Sequence, residues 1–308
     1  MTTRSSAWTE DSIPDQTGRV AVISGANSGL GLATALILAR KNARIVLACR
    51  NPERAAIARD TLVRESDNQA IDCVSLALDR LDQVREAAKA LLQRYQRIDL
   101  LINNAGVMVP RLELSPEGVD LHMAVNHLGH FAWTGLLLPR LLATPGSRIV
   151  SLGSLAHLTA RSLPEDLRWP SGAAYSSFGT YARSKLAVLL FTRALQQRLQ
   201  EAGADTLAMA AHPGGSRTEL LRAPVAGMRQ PLARRLLQYQ SPALGALPIL
   251  RAAIDPDAKG GEYYGPGGFL ELKGYPKRAY TRRAVDDPAL QARLWRASEV
   301  ISGVAYPV

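Results

Sequence analysis

Apolar residues along this chain fall into short runs of about five, separated by longer stretches whose apolar positions recur at helical spacing. The runs at 20–24, 43–49, 71–78, 98–102, 148–152 and 206–211 are predicted strands. Between them the pattern predicts helices over about 30–41, from Pro52 onward, over 81–95, over a long stretch ending near Leu142, and over about 178–200. Pro52 suits a first helical turn, where its missing N–H has no partner to lose. Strands and helices in strict alternation imply βαβ units, so the expected fold class is α/β, with a doubly wound parallel sheet and helices on both faces. A stretch rich in Pro, Gly, Arg and Leu at 213–242 is expected to be a covering segment, and a last strand is expected at 262–264. Residues 1–17 are taken as an N-terminal extension and 18–308 as one domain, with no internal repeat.

Length and composition narrow the classes. At 308 residues the chain is within the range of one α/β domain. The formal net charge of +10 raises the question of nucleic acid, but the cations are mostly scattered arginines. The densest groups, Arg234 with Arg235 and the stretch 277–283, lack an interleaved aromatic platform, so no nucleic-acid partner is expected. No apolar stretch reaches membrane-crossing length and the first residues lack a secretion pattern, so membrane insertion is not expected and the location is expected to be cytoplasmic. Cys49 and Cys73 lie in strand-like runs and are expected in the core without a disulfide. The five histidines show no metal-ligand spacing with nearby carboxylates or cysteines, so no metal is expected.

The segment Ser24-Gly25-Ala26-Asn27-Ser28-Gly29-Leu30-Gly31 sits between the first predicted strand and helix. Glycine has a physical reason there: the turn needs unusual dihedrals, and side chains would keep a pyrophosphate from the N–H groups at the helix start. The same pattern also makes a mere tight turn, but its place in the first βαβ unit is that of a Rossmann-type dinucleotide site. The second strand ends in Cys49-Arg50-Asn51, where an NAD site usually carries Asp or Glu. Arg50 can instead neutralise a 2′-phosphate, so NADP(H) is preferred over NAD(H).

Tyr181 and Lys185 stand one turn apart on one face of a predicted helix. A phenol is a poor acid or base at neutrality, but a neighbouring ammonium and a nicotinamide cation both favour its phenolate, so the pair could exchange a proton with a substrate oxygen. Such pairs are common on helices, and the spacing alone decides nothing. Joined with the glycine turn, with Asn103-Asn104-Ala105-Gly106 after the fourth strand and with Ser154 after the fifth, it makes the chain resemble the short-chain dehydrogenase/reductase family along nearly its whole length. The motifs 126–131 (Asn-His-Leu-Gly-His-Phe), 154–157 (Ser-Leu-Ala-His) and Tyr264-Gly265-Pro266 resemble its retinol-dehydrogenase-like branch.

The resemblance implies roles residue by residue. Tyr181 is the general acid or base, Lys185 tunes it and holds the nicotinamide ribose, Ser154 polarises the substrate oxygen, and Asn126 holds a water that links Lys185 to solvent. Gly25, Asn27, Ser28, Gly29, Leu30 and Gly31 cradle the cofactor. Asn104, Ala105 and Gly106 pack beside its adenosine, Asp79 at the end of strand three meets the adenine, and Pro213, Gly214 and Thr218 border the carboxamide. The family usually has threonine where Ser24 stands, a change that keeps the hydroxyl. Ser151 competes with Ser154 for its role, whereas Tyr175 is excluded because Gly179 stands where its lysine would be. The activity that the resemblance implies is hydride transfer between NADP(H) and a lipophilic small-molecule carbonyl or alcohol; the alternative reading is a catalytically silent dinucleotide-binding regulator. The resemblance also implies a possible homodimer or homotetramer built through the long helices.

Overall fold

A computed structural model describes residues 7–160, 162–215 and 240–308. Eight strands form one sheet: β1 Val20–Ser24, β2 Arg44–Cys49, β3 Ile71–Ser75, β4 Leu100–Asn103, β5 Arg148–Leu152, β6 Leu207–Ala211, β7 Tyr263–Pro266 and β8 Pro276–Arg278. Their order is β3-β2-β1-β4-β5-β6-β7-β8. Alternation along β1 shows why the runs read as continuous: Val20 and Val22 enter one hydrophobic cluster and Ala21 and Ile23 the other, so every position is buried. On one face lie α1 Gly29–Arg40, α2 Pro52–Ser66 and α6 Pro242–Ile254. On the other lie α3 Leu81–Arg94, α4 Gly129–Leu142, α5 Ser177–Glu201 and α7 Pro288–Ser302. The strand order reverses between β1 and β4, and that switch point opens a crevice at the carboxyl ends of the strands.

The doubly wound, mostly parallel sheet is as expected, with one antiparallel strand added at its edge, β8 on β7. β8 has three residues and carries Pro276, Lys277 and Arg278, a composition suited to a sheet edge and devoid of apolar alternation. β3 ends at Ser75 rather than 78 because its sole neighbour ends there, with Cys49 opposite Ser75. Two helices stand beyond those expected from the sequence, α6 and α7, with Ser241 and Asp287 as caps and Pro242 and Pro288 in their first turns. The long helix before β5 is not uniform: a turn at Leu121–Met123 passes through a π-helical stretch, Ala124–Leu128, before α4.

The last helix closes the second face. Trp295 of α7 packs edge-on to Phe131 at 5.2 Å, beside Phe191 at 5.9 Å and Tyr306 at 4.6 Å, with the Arg198 guanidinium 3.9 Å from its ring centre. Tyr306 donates to the Phe131 carbonyl at 2.7 Å, and a Cβ at Gly135 would stand 2.6 Å from the Tyr306 ring. Within α4 Pro139 alone is exposed. Among the described residues no helix is long and apolar enough to cross a membrane. Ile13, in the N-terminal extension, is buried in the cluster beside α1.

Trp295→Ala is expected to lower the unfolding free energy by about 3–5 kcal/mol, the range for losing a large buried aromatic. Urea denaturation checks it, and a loss below about 1 kcal/mol would show that α7 is not part of the core.

Candidate active site

The crevice holds a cavity of about 740 Å³ whose wall includes the glycine turn at one end and Ser154, Tyr181 and Lys185 at the other. At the first end, Gly25 has φ +65° and a Cβ there would lie 2.9 Å from Ala105 Cα. At Gly31 a Cβ would lie 2.5 Å from both Asn104 Nδ2 and the Gly25 carbonyl, so backbone and side chain close where only glycine fits. Together with the N–H groups of the first turn of α1, which have no partner within the helix, this cradle fits a pyrophosphate.

One hydroxyl ties the cradle to the rest of the site. Ser24 Oγ, wholly buried at the end of β1, accepts the N–H groups of Asn104 and Ala105, both at 3.0 Å. Asn104 Nδ2 donates back to the Ser24 carbonyl at 2.9 Å. His130 Nδ1 faces the Asn126 carbonyl at 3.3 Å and must be its donor, which leaves Nε2 to accept the Ser24 hydroxyl at 2.8 Å. That tautomer needs a neutral ring, and burial pushes the imidazole down to about 3. His130 was missed from the sequence; its signal was its place four residues after Asn126 in one helical stretch.

At the adenosine end, Arg50 is largely exposed at the cavity wall, with Nη1 4.0 Å from Asp79 Oδ2. Asp79 stands in a turn beyond β3 rather than on the strand, and the two side chains share one rim. Arg54, also missed, joins them from the first turn of α2, where Asn51 Oδ1 accepts its N–H at 2.8 Å.

At the other end α5 carries Tyr181 and Lys185 to the same wall, both nearly fully buried. Lys185 Nζ lies 5.8 Å from the Tyr181 ring centre and donates to the Leu152 carbonyl at 2.7 Å. Burial pushes the Lys185 ammonium down to about 7. Burial likewise pushes the Tyr181 phenol up to about 12, only partly offset by a hydrogen bond with the Ser154 side chain. Burial thus acts against the expected effect of the ammonium on the phenol: the same apolar wall raises the tyrosine and lowers the lysine. Ser154 starts the 3-10 turn Leu155–Thr159 and accepts the Ala156 N–H at 3.2 Å. Ser151 is buried in β5 opposite Asn103 and does not reach the cavity wall, and Tyr175 is tied to the Val109 carbonyl at 2.7 Å.

Asn126 sits in the π-helical stretch, buried rather than facing water. Its Oδ1 accepts the Val107 N–H at 2.8 Å and its Nδ2 donates to Ser184 Oγ at 2.9 Å. A Cβ at Gly106 would meet Asn126 Oδ1 at 3.2 Å and Lys185 Nζ at 3.5 Å, so those two side chains flank one backbone position. Asn27, Ser28, Gly29, Leu30, Ala105, Gly106, Pro213 and Gly214 also line the cavity. Thr218 lies outside the described residues, as does most of the segment 213–242.

A Rossmann-type sheet whose switch-point cavity joins a phosphate cradle to a buried tyrosine and lysine defines a class, the dinucleotide-dependent oxidoreductases. Residues 19–228 match the short chain dehydrogenase family, and the chain belongs to that family, whose members act on CH–OH or C=O groups with an NAD(P) dinucleotide. It is 35% identical to retinol dehydrogenase 13 of Homo sapiens over 297 residues, 94% of this chain and 86% of that protein. It is 38% identical to dehydrogenase/reductase SDR family member 13 of Bos taurus over 291 residues, 93% and 74% of the two chains. Among solved structures, an uncharacterized protein from Mycobacterium Paratuberculosis superposes with a TM-score of 0.82 at 35% identity, covering 98% of this chain and 100% of that one. The rival reading of a catalytically silent regulator finds no support in these likenesses.

The lowered Lys185 pKa has a measurable consequence. Between about 7 and the ordinary 10.5 the unfolded chain binds a proton at this lysine that the folded chain does not. Stability contributed by this group therefore rises with pH across that window. The unfolding free energy of wild type minus that of Lys185→Met is expected to increase by on the order of 3 kcal/mol from pH 7 to pH 10. A flat difference in denaturant titrations would show that Lys185 is not desolvated.

Proposed function

We propose that this protein reversibly transfers hydride between NADP(H) and a lipophilic alcohol, aldehyde or ketone, with Tyr181 as general acid or base. The observation that carries the reading is the single cavity that runs from the glycine cradle to Ser154, Tyr181 and Lys185. The dinucleotide, when bound, supplies or accepts the hydride and in its oxidised form adds a positive ring. Ser154 donates a hydrogen bond to the substrate oxygen and holds it against the phenol. In the reducing direction the Tyr181 phenol gives its proton to the carbonyl oxygen as hydride reaches the carbon. In the reverse direction the phenol must give up that proton, and Lys185, titrating near 7, is placed to favour the phenolate in its charged form and to pass the proton on beside Asn126.

Arg50 on the cavity rim supports NADP(H): its guanidinium offers forked donors to a 2′-phosphate, with Arg54 on the same rim and Asp79 Oδ2 4.0 Å from its Nη1. Val107, Met108, Leu155, Ala156 and Phe178 line the cavity and favour an apolar substrate. The name of the human relative specifies retinol, an apolar alcohol, and a molecule of that class would suit such a wall.

A panel of carbonyls and alcohols assayed by NADPH absorbance, with NADH beside it, tests activity and coenzyme choice together. Tyr181→Phe is expected to bind NADPH within about twofold of wild type while turnover falls by about 10²-fold or more; retained turnover would overturn the assignment. Arg50→Ala is expected to raise the KM for NADPH by roughly tenfold or more and to leave that for NADH nearly unchanged, as follows from losing a charge-assisted contact to phosphate. Equal losses for both coenzymes would sink the role given to Arg50.

A further inference from the structure

The turn that follows β6 is fixed by a buried imidazole that the proposed chemistry does not use. His212 is fully buried, and its Nε2 lies 2.9 Å from Glu271 Oε2. Its Nδ1 accepts the Gly214 N–H at 3.2 Å, so Nε2 carries the hydrogen and donates it to the carboxylate. The ring lies 5.1 Å from that of Tyr263, and a Cβ at Gly265 would stand 1.9 Å from Nε2, so the imidazole has no room to turn. Glu271 Oε1 accepts the Tyr280 N–H at 3.0 Å, which ties both carboxylate oxygens. Burial pushes the Glu271 carboxyl up, but the hydrogen bonds from His212 and from the Tyr280 N–H outweigh it and hold the group below its usual range.

The loop that delivers this carboxylate has an unfavourable geometry of its own. Leu270 at φ 50° and Glu271 at φ 56° are both left-handed without being glycine. Phe269 and Leu270 are turned outward, 82% and 67% exposed, while Glu271 points in. The same loop meets the turn after β6 through its backbone. Gly215 N–H donates to the Leu272 carbonyl at 2.8 Å, and a Cβ at Gly214 would lie 2.5 Å from that oxygen. Gln240 joins them: its N–H donates to the Gly215 carbonyl at 3.0 Å, its Nε2 to the Pro213 carbonyl, and its Oε1 accepts the Gly274 N–H at 3.2 Å. Pro213 and Gly214 are cavity wall.

We propose that Glu271 is a positioning residue for the dinucleotide: acting through His212, it sets the Pro213–Gly214 turn that closes the cavity beside Tyr181 and Lys185. This rests on the reading of the cavity as a dinucleotide site. Without the carboxylate, nothing in this contact set holds the Nε2–H, and the imidazole loses the orientation in which Nδ1 receives Gly214.

Full-length Glu271→Ala, Glu271→Gln and Leu270→Gly separate the carboxylate from the loop around it. NADPH affinity is read by direct binding, without turnover, and amide hydrogen exchange is compared between residues 212–215 and β1. Glu271→Ala is expected to weaken NADPH binding roughly tenfold and to speed exchange at 212–215 but not in β1. Glu271→Gln, whose amide oxygen still accepts the Nε2–H while its NH2 turns to the Tyr280 N–H and loses that bond, is expected within about threefold of wild type, and Leu270→Gly, which relieves the backbone and removes an exposed side chain, within about twofold. Glu271→Asp, which withdraws the carboxylate by one methylene, is expected to fall between Gln and Ala and carries the test if the Ala variant does not fold. Wild-type binding and exchange in Glu271→Ala, or in Glu271→Asp where that variant stands in, would overturn the proposal, and so would a Gln variant as weak as Ala. A wild-type protein that binds no dinucleotide would instead overturn the reading of the cavity, and with it this role, whatever the exchange data show.

Discussion

The site depends on one buried hydroxyl. Ser24 Oγ sits where β1 and β4 part at the switch point and satisfies two backbone N–H groups that the sheet ladder has left behind. Its own proton goes to His130, whose other nitrogen holds the backbone of Asn126. The phosphate cradle, the strand end that packs on it and the helix that carries Asn126 are thus connected through a single side chain. This accounts for the hydroxyl being kept where threonine is replaced by serine: the methyl group has no part in the bonds, and the oxygen has several.

A second constraint is burial around Tyr181 and Lys185. A charged lysine with a neutral tyrosine would be ordinary in water, but an apolar wall shifts both toward their uncharged forms. A positive charge brought into the cavity, such as an oxidised nicotinamide ring, acts against that shift at the phenol. Asn126, held in the π-helical stretch by Val107 and Ser184, stands behind this wall and flanks Gly106 together with Lys185.

The C-terminal third of the chain completes both the fold and the cavity. α7 seals the outer side of α4 and α5 with an aromatic cluster around Phe131. β7, β8 and the loop between them reach back to the turn after β6, so that residues more than fifty positions apart in sequence form one hydrogen-bonded unit.

The sequence by itself determined the alternating strands and helices, the glycine turn and the helical face shared by Tyr181 and Lys185, because each is a local pattern of period two, period three to four, or backbone freedom at glycine. It also carries the caps of α6 and α7, Ser241 with Pro242 and Asp287 with Pro288, which are local signals of a helix start. Only the tertiary structure decided that β3 stops where β2 stops, that Pro276–Arg278 is a strand at all, and that His130 answers Ser24. The pairing of His212 with Glu271 and the direction of the Tyr181 shift belong to the same group. Edge pairing, tautomers and desolvation arise from groups distant in sequence that meet only when the chain is folded, so no local pattern records them.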